Sequence, residues 1–185
     1  EQFLKYMSQP NLTWPQLVAM VKQDVKRSTQ DKQIADLEGD ILPYFVLSAP
    51  SNQNKTALII GNNGSKDFPL KSSVNDANAM TVQLKKLGYD TLTITDATSE
   101  VMQASVAVFK HKIKNGGVGI VYYSGHGVQI DSENYLVPVN TVLAKNADEL
   151  KITLMNINTI LNTLKSTEAN TLLFIIDASR NRPSR

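Results

Sequence analysis

Val118-Gly119-Ile120-Val121-Tyr122-Tyr123 runs without a break into Ser124-Gly125-His126-Gly127. The first six residues are apolar and rich in β-branched and aromatic types, the pattern of a strand buried on both faces. Such a strand belongs to a parallel sheet with helices on either side, and the neighbouring sequence agrees. Upstream, Thr56-Ala57-Leu58-Ile59-Ile60-Gly61 reads as a second buried strand that stops in Asn62-Asn63-Gly64, and residues 90–95, rich in Thr, Leu and Ile, as a third. Downstream, Thr171-Leu172-Leu173-Phe174-Ile175-Ile176 gives a fourth, followed at once by Asp177-Ala178-Ser179-Arg180.

Amphipathic helices are expected between these strands. Val74, Ala77, Met80, Leu84 and Leu87 line one side of a helix closed by Gly88. Met102, Val106, Phe109 and Ile113 mark another, opened near Thr98 or Ser99 and ended at Asn115-Gly116-Gly117. Ile157, Ile160, Leu161 and Leu164 give the signature of a third, and residues 128–139 read as a small hairpin turning at Asp131-Ser132. The alternation of strand and helix defines the expected fold class: α/β, an open, mostly parallel sheet with helices on both faces.

The N-terminal part follows another pattern. Phe3, Leu4 and Met7 suggest a short helix ended by Gln9-Pro10-Asn11. Thr13-Trp14-Pro15-Gln16 then supplies a capping Thr, a Pro in the first turn and a Gln placed to close a capping box, before Leu17, Val18, Val21 and Val25 recur at helical spacing. Residues 48–55 are small and polar and carry no periodicity, which marks a linker. The expected organisation is a helical segment over 1–47, a linker over 48–55 and an α/β unit over 56–185.

Composition narrows the function. The 185 residues are 42% hydrophobic and 19% charged, the balance of a globular domain with a real core and an appendage. Nineteen Lys and Arg against 17 Asp and Glu leave a net charge of +2, too little for the basic stripe that a phosphate backbone requires, so nucleic acid is not an expected partner. The longest apolar runs fall far short of the roughly 20 residues that span a bilayer, and no charged-then-apolar signal opens the chain. No membrane association is expected, and the expected location is cytoplasmic. The cysteine count is zero, which excludes disulfides and Cys-based zinc sites, and with His111 and His126 the only histidines no metal site is expected. Gly61-Asn62-Asn63-Gly64-Ser65 fits neither a phosphate-cradling loop nor a dinucleotide fingerprint, and no Gly-x-Ser-x-Gly elbow surrounds Ser179.

In open α/β sheets, reactive groups gather beyond the carboxyl ends of the strands. Two strand ends stand out here, one with His126 between two glycines and the other with Asp177, Ser179 and Arg180. Taken singly, His126 reads as an ordinary loop residue and Asp177-Ala178-Ser179 as a turn starter. Taken together on buried strands of one sheet, they form a nucleophile-and-base constellation.

Tyr122-Tyr123-Ser124-Gly125-His126-Gly127 followed by Ile175-Ile176-Asp177-Ala178-Ser179-Arg180-Asn181 resembles the caspase-like cysteine peptidases of clan CD, in particular their bacterial metacaspase and paracaspase relatives. Ala57-Leu58-Ile59-Ile60-Gly61-Asn62 is similar to that family's first strand, residues 69–77 to its Asn-Asp-Ala helix start, and Asn134-Tyr135-Leu136-Val137-Pro138-Val139 to the segment after the catalytic His. The resemblance covers residues 55–185, about the family's large-subunit half. It implies that His126 is the general base or acid of a dyad, and that backbone N–H groups around Gly127 and Ser179 form the oxyanion hole. It also implies that Asp76 and Asp177 wall a primary pocket for a peptide or protein substrate with Arg or Lys before the scissile bond. By itself, Asp76 reads as a carboxylate favoured by a helix N-terminus. No cofactor is implied. The calcium dependence of some relatives is not readable here, where Asp67, Asp90, Asp96 and Asp131 are scattered.

The sequence departs from the family twice. Ser179 stands where the family has its nucleophilic Cys, which points to an inactivated cysteine endopeptidase or to a natural pseudopeptidase that binds peptides or acts as a scaffold; the otherwise intact site favours the first. The second departure is order. Residues 1–47, with Phe3-Leu4-Lys5-Tyr6-Met7, Asn11-Leu12-Thr13, Lys32-Gln33 and Leu37-Glu38-Gly39-Asp40, resemble the tail of the small-subunit half, which in bacterial relatives follows the catalytic segment. The chain is therefore expected to be circularly permuted or a rearranged piece, with the intervening small-subunit strands missing or supplied by a second chain.

Overall fold

The computed structural model describes residues 2–30, 35, 45–48, 53–64, 69–141 and 146–179. Residues 49–52 of the linker, the Lys32-Gln33 and Leu37-Glu38-Gly39-Asp40 segments, Ser65, Asp67 and the arginines from Arg180 onward lie outside the described residues. The chain divides into two compact units, Glu1–Asn52 and Gln53–Arg185.

The first unit holds α1 (Gln2–Tyr6) and α2 (Trp14–Ser28). Gln16 Oε1 accepts both the Thr13 N–H at 3.0 Å and the Thr13 hydroxyl at 2.9 Å, so the capping residues work as an N-terminal clasp, with Pro15 in the first turn where no hydrogen bond is lost. Asp24 joins the helices by accepting from Tyr6 at 2.5 Å and Lys5 at 2.7 Å. Hydrogen bonding from Lys5, then from Tyr6, holds its carboxyl below the usual carboxylate range.

The second unit is built on a sheet. In chain order its elements are β1 (Lys55–Gly61), α3 (Ser73–Lys86), β2 (Asp90–Thr95), α4 (Ser99–Lys112), β3 (Val118–Ile130), β4 (Glu133–Leu136), α5 (Ala147–Thr153), β5 (Met155–Asn156), α6 (Ile157–Lys165) and β6 (Thr171–Ser179). β2, β1, β3 and β6 lie side by side and parallel, while β4 and β5 continue antiparallel from the far half of β3. The chain steps from β1 outward to β2 through α3, then returns past β1 to β3 through α4. That reversal puts the two helices on opposite faces and makes a switch point between β1 and β3.

Side-chain alternation assigns the faces. Leu58, Ile60, Val121 and Tyr123 pack with Met102, Val106 and Phe109 of α4 and Ile160 and Leu164 of α6. The opposite face receives α3: a Cβ on Gly61 would meet the Cβ of Ala77 at 2.5 Å, and the hydroxyls of Thr81 and Thr93 lie 2.7 Å apart. The expected α/β sheet with helices on both faces is present.

Several local expectations are corrected. β3 does not stop at Tyr123 but continues through Ser-Gly-His-Gly to Ile130, because β6 supports it as far as His126 and β4 supports it from Gly127. β6 likewise runs beyond Ile176 to Ser179. α4 ends at Lys112, where Ile113 turns extended and inward as a buried residue, three residues before the Asn-Gly-Gly stop. α5 and β5 were not expected. The Asp131-Ser132 turn is present, both residues taking positive φ (50° and 66°) as a tight hairpin requires.

Candidate active site

The carboxyl ends of β1, β3 and β6 define the site. The parallel register aligns Tyr122 with Ile175, Ser124 with Asp177, Gly125 with Ala178 and His126 with Ser179, and on the other side Gly61 with Ser124. Parallel strands lie about 4.8 Å apart and register partners share a face. His126, Ser179, Ser124, Asp177 and Tyr122 therefore project to the α3 side of the sheet. The histidine and the serine stand opposite each other at the last parallel pair. Both are half-buried. They lie inside paired strands rather than in loops beyond them, which is the consequence of the longer β3 and β6.

Asp76 reaches the same side from α3. The helix begins beside the end of β1, and Asn63, two residues past that strand, accepts the Val74 N–H through Oδ1 at 3.2 Å. Ser72, at the N-cap position, makes no side-chain cap, so Asn63 supplies it from outside the helix. Asp76 follows in the first turn, half-buried, its N–H donating to Ser72 O at 2.8 Å.

The charges there act on one another. Asp177 keeps contact with solvent, yet the protein crowded around it, as the larger cause, and the Asp76 carboxylate, as a further one, push its carboxyl above the ordinary carboxylate range. Tyr122, 4% exposed, is pushed far up, first by burial and then by Asp177 and Asp76. Two carboxylates and a buried tyrosine thus share the α3 side of this strand end.

Other residues hold these ends in place, and sequence reasoning missed their roles. Asn62 is fully buried: its Nδ2 donates to Ala97 O at 3.2 Å and to Val137 O at 3.3 Å, and its Oδ1 accepts the Ala97 N–H at 2.9 Å. It ties the end of β1 to the segments after β2 and β4. Gly127, proposed from sequence for its backbone N–H, pairs with Leu136, and a Cβ there would meet the Cβ of Ala178 at 2.9 Å, so β3 and β6 approach closely only with glycine at this point. A buried Asn after a strand was the available signal for Asn62. Among the described residues, no group of three or more His, Cys, Asp or Glu is gathered as a metal ion would require, and no helix is long and apolar enough to cross a membrane.

The fold and the end of its sheet define a caspase-like relative of clan CD. The family model described as the caspase domain matches residues 54–185, and the chain belongs to that family. Over 134 residues it is 27% identical to the human mucosa-associated lymphoid tissue lymphoma translocation protein 1, and equally to its mouse homolog. The aligned part is 72% of this chain and 16% of each of those proteins, so the chain spans about a sixth of the length of the curated relatives it matches.

Proposed function

We propose that this chain carries the large-subunit-like half of a caspase-like endopeptidase that cuts after Arg or Lys, and that Ser179 leaves it inactive as it stands. One observation carries the reading: His126 and Ser179 are register partners on the α3 face, one step beyond the Ser124 and Asp177 pair, with Asp76 on the helix that covers that face.

In the active form a Cys at position 179 attacks the substrate carbonyl as thiolate, His126 protonates the leaving amine as the C–N bond breaks, and water then hydrolyses the thioester. Backbone N–H groups around Gly127 and Ser179 stabilise the oxyanion. A thiol has a reference pKa of about 8.5 and yields useful thiolate beside an imidazole, whereas a serine hydroxyl does not ionise under the same influence. Asp76 and Asp177 select the basic side chain, arginine most readily through paired hydrogen bonds.

Residues 1–47 act as the tail of a small-subunit half, whose strands continue the sheet along β6. An open edge supports this. Among the described residues β6 pairs with β3 alone, and its side chains stay partly open, with Ile176 38% exposed. A nine-residue strand with no Lys or Pro along an unpaired edge is built to receive another strand.

The test is Ser179→Cys, assayed on peptides with Arg, Lys or Asp before the cleaved bond, alone and with a small-subunit half added. The expected result is turnover of the Arg and Lys peptides that disappears with His126→Ala. Binding of basic peptides with no turnover in a folded Ser179→Cys protein would instead identify a pseudopeptidase.

A further inference from the structure

Tyr123 sits between the register-defining residues but on the other face, in the core, and is fully buried. Its ring does not stand straight off the sheet. It lies along the strand over Gly125, the next residue on that face, so closely that a Cβ on Gly125 would fall 2.5 Å from the phenol carbon Cζ. The hydroxyl is thereby carried to the backbone of His126. It lies 2.8 Å from the His126 carbonyl oxygen and 3.1 Å from that of Val137, and accepts the Val137 N–H at 3.3 Å. The Val137 N–H also donates to His126 O at 3.1 Å.

These contacts meet where β3 changes partner. His126 is the last residue paired with β6, and Gly127 the first paired with β4. A strand with glycines at both neighbours of His126 has wide backbone freedom at this junction, where the backbone ladder gives the His126 carbonyl the Val137 N–H as a partner. The Tyr123 hydroxyl adds a second, shorter partner for that carbonyl, from a ring fixed in the core, and joins it to the segment leaving β4.

We propose that Tyr123 is a positioning residue for the peptidase reaction, which orients the imidazole of His126 toward position 179 by holding the His126 carbonyl from the opposite face of the sheet. The glycine before His126 is part of the same device, since any side chain there would displace the ring. This inference rests on the peptidase reading for its catalytic consequence, but its structural content does not.

The experiment uses two readouts. The chain has two histidines, so the 1H and 15N imidazole resonances of His126 can be followed in the Ser179 protein with His111, in the last turn of α4, as internal reference. Tyr123→Phe is compared with Tyr135→Phe, which removes another largely buried hydroxyl, one that donates to Glu133. The expected result is displacement of the His126 signals by Tyr123→Phe alone, with His111 unmoved. In the Ser179→Cys background, Tyr123→Phe should lower kcat about tenfold while KM holds. Unmoved His126 signals in folded Tyr123→Phe, or equal displacement by the two variants, overturn the inference. If Tyr123→Phe fails to fold, the same comparison is made with 3-fluorotyrosine in place of tyrosine, where weaker acceptance and stronger donation by the hydroxyl must move His126 and not His111. Absence of turnover in Ser179→Cys itself counts against the peptidase reading and leaves the resonances to decide this one.

Discussion

With the surrounding protein as the larger cause, the Asp76 carboxylate on α3 helps hold the Asp177 carboxyl on β6 above its ordinary value. Such an arrangement works against folding at neutral pH. A group whose folded pKa exceeds its unfolded one contributes most below the unfolded pKa, here about 3.8, and loses that contribution as pH rises through the folded value. At pH 7 the ionised Asp177 is therefore a net strain on the native state. Asp177→Asn should raise the melting temperature by a few degrees at pH 7, and this advantage should vanish below about pH 4, where the wild-type side chain is protonated as well. Thermal melts of both proteins across pH 3.5 to 7.5 check it. Equal gains at both ends of the range would mean that the charge is not the cause. In Ser179→Cys, the same substitution should abolish preference for basic peptides, so that the stabilising change removes the recognition.

Asn62 presents the opposite balance, a buried polar group with every hydrogen bond made. Replacing it by Ala strands the Ala97 N–H in a site without solvent, while the Ala97 and Val137 carbonyls each lose one bond and keep another, from the Val139 N–H and the Tyr123 hydroxyl. The unsatisfied N–H costs about 1–3 kcal/mol and the two lost bonds add to it, so Asn62→Ala should lower stability by about 2–4 kcal/mol in urea unfolding with little change in m. Asn63→Ala, which removes one capping contact to Val74, should cost only about 1 kcal/mol. Similar losses for the two would show that the Asn62 bracket does not hold the three segments together.

The contact between Gly125 and Tyr123 can be measured as a coupling. Gly125→Ala forces the ring off its hydroxyl partners and should cost about 2–3 kcal/mol, as overpacking of a core does. With Tyr123→Ala already in place the methyl loses its nearest neighbours, which are all atoms of the Tyr123 side chain, and its added cost should fall below about 1 kcal/mol. A double-mutant cycle by chemical denaturation gives the difference. Additive losses would place the constraint on Gly125 elsewhere, in the backbone.

How much of this was legible in the sequence follows from what leaves a periodic trace. β1 and the first half of β3 announce themselves as unbroken apolar runs buried on both faces, β2 as a run rich in Thr, Leu and Ile, and α3 and α4 by a buried face that repeats at 3.6. The second half of β3 does not, since Ser-Gly-His-Gly has little preference for a strand and is extended only because β6 and β4 pair with it. α5 has no buried residue and so no apolar stripe, and β5 is two residues long. His126 and Ser179 could be singled out as strand-end polar residues, but their placement opposite each other depends on a register between β3 and β6 that no local pattern encodes. Asp76 carried no local signal beyond a helix N-terminus. Tyr123 did carry one, a tyrosine two residues before a glycine in a strand, which is readable only once the ring is seen to need that space.

The absence of cysteine makes position 179 accessible to a direct test, because Ser179→Cys introduces a single thiol into an otherwise thiol-free chain. Two influences compete there. An imidazolium at His126, opposite in register, favours the thiolate, whereas Asp177, two residues back on β6 and on the same face, opposes it. The imidazole is the partner at the same level of the sheet, so the thiolate should prevail. Alkylation by iodoacetamide at pH 6.5 should then be roughly tenfold faster in Ser179→Cys than in Ser179→Cys with His126→Ala, and unchanged by His111→Ala. Adding Asp177→Asn should accelerate it further by removing the opposing charge. Neither a peptide substrate nor a completing half is needed for the measurement. Equal alkylation rates with and without His126 would mean that the register pair does not form a dyad, and the peptidase reading would lose the observation on which it stands.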